Sequence, residues 1–118
     1  MASDDNASFK EIAIDAAKIH DWPTFHTAFA SALGFPEFYG RNMNAWIDCM
    51  TSLDDPGAGM SKLHAPQNGI VLLKVLNAKA FAARCPEQYA ALNECSAFVN
   101  WRRREQGGAP ILALSYFE

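Results

Sequence analysis

The apolar residues of this chain follow two periods, one typical of strands and one typical of helices. Residues 9–15 fit a short mixed strand, with Ile12 and Ile14 on one side and Glu11, Ala13 and Asp15 on the other. Apolar residues then recur every three or four positions from Phe25 to Leu33. Asp21 can cap the start of a helix, Pro23 suits its first turn, and Gly34 suits its end. The pattern therefore predicts a short strand followed by a first helix.

A second helix is predicted after a short aromatic turn. Phe35 precedes Pro36, where helical backbone is disfavoured, and Gly40 permits a tight or left-handed turn. Asn42 is a suitable N-cap for the helix that follows, whose apolar stripe is Met43, Trp46, Ile47 and Met50. Residues 54–69 are rich in turn residues, which predicts a long surface loop.

The second half of the chain contains two continuous apolar runs, residues 69–76 and 110–117. Such runs are typical of parallel strands that are covered on both faces. Two helical segments, 77–84 and 86–106, separate them, with Cys85 at the break and Gly107 and Gly108 at the end. The predicted order is βααβααβ, an α/β sandwich of two or three layers with a small three-stranded parallel sheet and about four helices.

Composition adds the number of domains and the expected environment. The chain has 118 residues, half of them apolar, which predicts a single domain over 9–118 behind a flexible tail, 1–8. We find no stretch long enough for a membrane span, and three cysteines without a CxxC pair suggest free thiols. We therefore expect a soluble cytoplasmic protein. A net charge of −3 decides little about its partners.

Motifs for catalysis or metal binding are missing from the sequence. The histidines His20, His26 and His64 are scattered and fit no zinc-binding spacing, and no phosphate-binding loop or nucleophile-elbow motif occurs. Cys49 follows Asp48, but no histidine is near it in sequence, so a buried structural thiol is the simpler interpretation. We expect neither an enzyme nor a bound metal or cofactor.

The clearest polar cluster lies on the predicted second helix. Arg41, Asn44 and Asp48 are three or four residues apart and are expected to project together, with Phe38 and Tyr39 beside them. Aromatic rings around a central charge are typical of protein recognition surfaces. From the residues alone, a second interpretation stays open: the two rings belong to the core and Asp48 is an ordinary solvated acid.

Residues 35–53, FPEFYGRNMNAWIDCMTSL, resemble the barstar family of small intracellular inhibitors of guanyl-specific ribonucleases. The family pattern is a Pro-Glu-aromatic-Tyr-Gly turn, an asparagine, and a helix that ends in an Asp-Cys pair. In this chain those positions are Pro36, Glu37, Phe38, Tyr39, Gly40, Asn42, Asp48 and Cys49. The predicted order of strands and helices extends the resemblance over residues 9–117.

The resemblance implies an inhibitor that blocks a ribonuclease active site with the second helix and the turn before it. Asp48 would occupy the place of the substrate phosphate, facing the cationic groups of the enzyme. The residues expected to contact the partner, a ribonuclease or related nuclease toxin, are Phe38, Tyr39, Gly40, Arg41, Asn42, Asn44, Ile47, Asp48 and Thr51.

The sequence also departs from the family pattern. Asn44 replaces a second aspartate, Ile47 a tryptophan and Arg41 a glutamate, so the surface is less acidic than the family pattern implies. A basic run, Trp101, Arg102, Arg103 and Arg104, lies where the family has a contacting glutamate, and its charges would repel a cationic enzyme if they faced it. These differences favour a different cognate enzyme.

Two alternative functions remain from the sequence. The same run from Trp101 to Arg104 is the composition of an RNA-binding module, although nucleic acid is not the expected partner. The chain could also be an immunity protein for a toxin that is not a ribonuclease.

Overall fold

The computed structural model describes residues 8–118, and its strands and helices follow the predicted order. The elements are β1 (Phe9–Asp15), α1 (Trp22–Leu33), α2 (Met43–Thr51), β2 (Ile70–Leu76), α3 (Ala78–Arg84), α4 (Pro86–Glu105) and β3 (Leu112–Tyr116). Short 3₁₀ turns at Ala16–Lys18 and Pro56–Ala58 are additional, and the second lies in the predicted loop. The order βααβααβ is confirmed.

The three strands form one parallel sheet in the order β1-β2-β3. Both crossovers therefore step in the same direction, and right-handed connections that do so place both helix pairs on the same face of the sheet. Burial agrees, since Ile12, Val71 and Leu73 on one face are buried while Leu72 and Lys74 on the other are half exposed. The fold is thus a two-layer sandwich, and the expectation that the strands are covered on both faces is wrong.

Helix boundaries follow from local capping. The Asp21 side chain accepts a hydrogen bond from the Thr24 amide at 3.0 Å, and the Thr24 hydroxyl oxygen accepts from the Asp21 amide at 3.1 Å, which forms a capping box. Gly34 ends α1 with a φ of 69°, in the left-handed region. A Cβ on Gly34 would lie 2.6 Å from the Lys62 Cβ, so this position also requires glycine for space.

The core lies between the sheet and the helices. Its largest fully buried side chains include Phe25, Phe29, Trp46 and Phe81, and α2 contributes Trp46, Cys49 and Met50. This packing fixes α2 on the body of the protein by one face. The predicted tail, residues 1–8, lies outside the described residues except for Ser8, whose carbonyl accepts a hydrogen bond from the Ile70 amide at 2.9 Å.

Candidate functional site

The turn before α2 holds one aromatic ring outward and buries two others. Phe35 and Tyr39 are buried with ring centroids 4.7 Å apart, and the Tyr39 amide donates to the Pro36 carbonyl at 2.9 Å. Phe38, between them in sequence, is 74% exposed. The Phe38 ring is thus the apolar side chain of this turn that remains accessible to a partner.

Tyr39 belongs to the core. Its hydroxyl lies 2.6 Å from Nδ1 of buried His26, and the two rings meet edge to face. Burial lowers the pKa of His26, with a smaller contribution from the nearby Arg41 cation, so the imidazole is neutral at pH 7. The Tyr39 side chain is therefore part of the core and does not project beside Phe38; it positions the turn that presents Phe38.

Arg41 also differs from expectation. Its guanidinium donates to the Pro23 carbonyl and to the Thr27 hydroxyl, each at 2.8 Å, so its charge is fastened on α1 and does not project with Asn44 and Asp48. The left-handed residue of the turn is Arg41, with a φ of 54°, and not Gly40. Gly40 is exposed and lies close to the Asn42 side chain, where a Cβ would be 3.2 Å from Nδ2.

The start of α2 is fixed by its predicted cap. Oδ1 of Asn42 accepts from the Ala45 amide at 2.8 Å, and its Nδ2 donates to the Gly40 carbonyl at 3.3 Å. Asn42 is exposed, but its side-chain amide forms both of these hydrogen bonds within the chain. Its clearest role is therefore to set the direction of α2.

The outer face of α2 is a single stripe at helical spacing. It consists of Asn44, Ile47, Asp48 and Thr51, of which Asn44 and Asp48 are exposed and the other two half buried. The Thr51 hydroxyl donates to the Ile47 carbonyl at 2.6 Å. The structure thus brings four of the predicted contact residues together on one surface, which we call the α2 face.

Asp48 on the α2 face is paired with an arginine of the same chain. Arg102 Nη1 donates to Asp48 Oδ1 at 2.9 Å, and both side chains remain accessible, at 37% for Arg102 and 56% for Asp48. Within residues 8–118, Oδ2 of Asp48 accepts no hydrogen bond. The carboxylate is therefore exposed and only partly neutralised.

The next arginine has a structural role. Arg103 donates to both carboxylate oxygens of Asp54, to the Thr51 carbonyl at 2.8 Å and to the Ala109 carbonyl at 2.7 Å. Its side chain is only 14% exposed, and hydrogen bonding to Arg103 is the main cause that lowers the pKa of Asp54. Arg103 therefore joins α4 to the end of α2 and to the segment before β3.

Arg104 and Trp101 lie apart from both ion pairs. They line a shallow groove with Ala97 and Pro110, and Trp101 is 55% exposed beside Phe98, with ring centroids 5.5 Å apart. Arg102 and Arg103 thus turn toward α2 and the residues after it, where both are paired with acids, while Arg104 faces the groove by Pro110.

The cysteines behave as packed thiols. All three are free, and Cys49 and Cys85 are buried. Burial raises the pKa of Cys49 to about 11, so its thiol is protonated at pH 7 and is a poor nucleophile. Within residues 8–118, no cluster of three histidine, cysteine or acidic side chains is placed to hold a metal ion, and no helix is long and apolar enough to cross a bilayer.

Sequence reasoning missed the two ion pairs that join α4 to α2 and to the segment that follows α2. Their partners are separated by 54 residues for Asp48 and Arg102 and by 49 for Asp54 and Arg103. No spacing rule links positions so far apart, because the pairing depends on how α4 packs on α2.

Comparison with known proteins agrees with the turn and the helix just described. A family model described as Barstar (barnase inhibitor) matches residues 9–114, nearly the whole chain. The chain belongs to the barstar family. Members of the barstar family are inhibitors of ribonuclease and not enzymes. A search of curated proteins finds no significant match.

Proposed function

We propose that this protein inhibits a ribonuclease by covering its active site with the α2 face and the turn before it. The Asp48 carboxylate takes the place of the substrate phosphate, and Phe38 packs against the rim of the cleft. The observation that carries the proposal is that Asp48 is more than half exposed, on a helix whose opposite side is locked into the core by Trp46 and Met50.

The chemistry of the target explains why a carboxylate suits this role. A nuclease that binds RNA must present cations to the phosphates, and a carboxylate can accept charge-assisted hydrogen bonds from the same groups. Because Trp46, Cys49 and Met50 anchor α2 in the core, the backbone that carries Asp48 does not have to become ordered on binding.

The ion pair with Arg102 does not remove Asp48 from this role. An exposed ion pair contributes only about 0–1 kcal/mol. Several cations in a water-excluded cleft interact with the carboxylate more strongly than one solvated arginine does. Arg102 therefore modifies the site without occupying it.

The free cysteines fit a reducing compartment, so we place the protein in the cytoplasm, where it would protect a cell that makes the nuclease. In this role it is an immunity protein against a ribonuclease or a related nuclease toxin.

The proposal is tested by comparing how strongly wild type and Asp48→Ala inhibit barnase, the enzyme for which the family is described as an inhibitor. The matched control is Glu11→Ala on the open face of the sheet, because Glu11 is 51% exposed and ion-paired with Lys74. Losing one partner of a desolvated charge pair costs about 2–5 kcal/mol, so Asp48→Ala should weaken inhibition by about 30- to 5,000-fold. Unfolding curves identical to wild type would show that the fold is intact. Equal inhibition by the two variants would refute the role of Asp48.

A further inference from the structure

A negative charge of the α2 face and a positive charge of α4 meet at one point. Asp48 and Arg102 are in direct contact at 2.9 Å, and Arg102 forms one wall of a shallow groove whose other walls include Thr51, Met60 and Gln106. A partner that covers Asp48 must therefore also cover, or displace, a guanidinium.

Covering this pair leaves Arg102 with donors to satisfy. A guanidinium has five N–H donors, and the contact with Asp48 uses only Nη1. Buried charged donors without acceptors are strongly unfavourable, and a carboxylate is the acceptor that best matches the planar guanidinium. A cleft whose charged groups are all cations would supply no carboxylate for these donors and would repel Arg102.

The neighbouring arginines do not share this position. Arg103 is fully engaged with Asp54 and with backbone carbonyls, and Arg104 faces the groove by Pro110. Arg102 is thus the arginine of this run whose charge reaches Asp48.

We propose that Arg102 determines which nucleases the α2 face accepts, and that the cognate enzyme presents a carboxylate to Arg102 beside the cation it presents to Asp48. This inference rests on the proposed function and adds the chemistry of the partner. The Asp48–Arg102 pair then forms a network of alternating charges with a carboxylate and a cation of the enzyme. Enzymes with a wholly cationic cleft are disfavoured.

Binding to barnase tests the expectation that Arg102 weakens binding to a cationic cleft. Arg102→Ala and Arg102→Glu are compared with Arg104→Ala and Arg104→Glu, which change the net charge equally on another side of the same helix. Because like charges at an interface are strongly unfavourable, we expect Arg102→Ala to raise the affinity about tenfold and Arg102→Glu to raise it further. The Arg104 variants should change it by less than about threefold. Arg102 variants that bind no more tightly than their Arg104 counterparts, including the case in which none binds, would overturn the inference.

A second measurement tests whether Arg102 favours an enzyme that presents a carboxylate to it. Each lysine and arginine that lines the barnase cleft is changed to glutamate in turn, and binding is measured with wild type, Arg102→Ala and Arg102→Glu. At least one of these enzymes should bind wild type about tenfold more tightly than Arg102→Ala, and Arg102→Glu should bind it most weakly. If none shows coupling to Arg102, the inference is wrong.

The role of Asp48 and the role of Arg102 can be refuted separately. If Asp48→Ala weakens binding and the Arg102 variants behave like their controls, the inference fails and the proposed function stands. If Asp48→Ala has no effect in any of these backgrounds, the proposed function fails as well.

Discussion

Replacing Arg103 with alanine should destabilise the protein far more than the same change at Arg102 or Arg104. Arg103 is 14% exposed and makes four hydrogen bonds of 2.7–3.0 Å, two of them to the Asp54 carboxylate. Hydrogen bonds to charged groups contribute about 1.5–3 kcal/mol each, and exposed Asp54 and Ala109 regain water when the arginine is lost. We therefore expect a loss of about 2–4 kcal/mol for Arg103→Ala, against about 0–1 kcal/mol for Arg102→Ala.

Urea denaturation measures this difference. With a slope of about 2 kcal/mol per molar, Arg103→Ala should lower the midpoint by on the order of 1–2 M, while Arg104→Ala should leave it nearly unchanged. Arg103→Lys should fall between them, because an ammonium cannot reproduce the planar fork. Equal midpoints for the three alanine variants would refute the division of roles among these arginines.

The pH dependence of stability gives an independent check on the Arg103–Asp54 ion pair. Hydrogen bonding to Arg103 holds the pKa of Asp54 below its ordinary 3.8, so the pair stabilises the fold above pH 3.8. This stabilisation is lost as the pH falls through the folded-state pKa. The difference in unfolding free energy between wild type and Arg103→Ala should therefore narrow in that range, and a constant difference would argue against an ionic contribution.

Three further predictions concern α1, the turn and the start of α2. Asn42→Ala should cost about 1 kcal/mol in urea denaturation because the Ala45 amide loses its cap, whereas Asn42→Asp should cost less; equal losses would contradict capping. Burial lowers the pKa of His26 below 6.5, so the unfolded state takes up protons that the folded state does not. Stability should fall as the pH drops from 7 to 5, and His26→Gln should flatten that slope; an unchanged slope would show that another group is responsible. Phe38→Ala should leave the melting temperature within about 2 °C while weakening inhibition of a ribonuclease, since the ring is 74% exposed. A large loss of stability instead would make Phe38 structural.

The elements of the fold were predictable because their signals are local. Asp21, Gly34 and Asn42 bound helices through hydrogen bonds or backbone angles that involve residues only a few positions away. The bounds of β1 agree with the short mixed strand predicted over residues 9–15. The open face of the sheet was not predictable, because Leu72 looks like a core residue in sequence and only the strand order places it on the side without helices.

The α2 face was predictable in part. Asn44 and Asp48 share a face because of helical spacing alone, and the structure keeps them exposed. Tyr39 and Arg41 were assigned to the same surface because they are near in sequence, but both side chains bind α1 instead. Tyr39 contacts His26, and Arg41 donates hydrogen bonds to Pro23 and Thr27. The Arg102 contact with Asp48 depends on tertiary packing and has no local signal.

Competition with a nucleotide tests the central claim most directly. Barnase is titrated with this protein at increasing concentrations of guanosine 3′-monophosphate, which occupies the phosphate site of a guanyl-specific ribonuclease. If the Asp48 carboxylate takes that site, the apparent Kd rises linearly with nucleotide concentration. An apparent Kd that does not change with nucleotide would mean that the α2 face binds elsewhere, and would contradict the account.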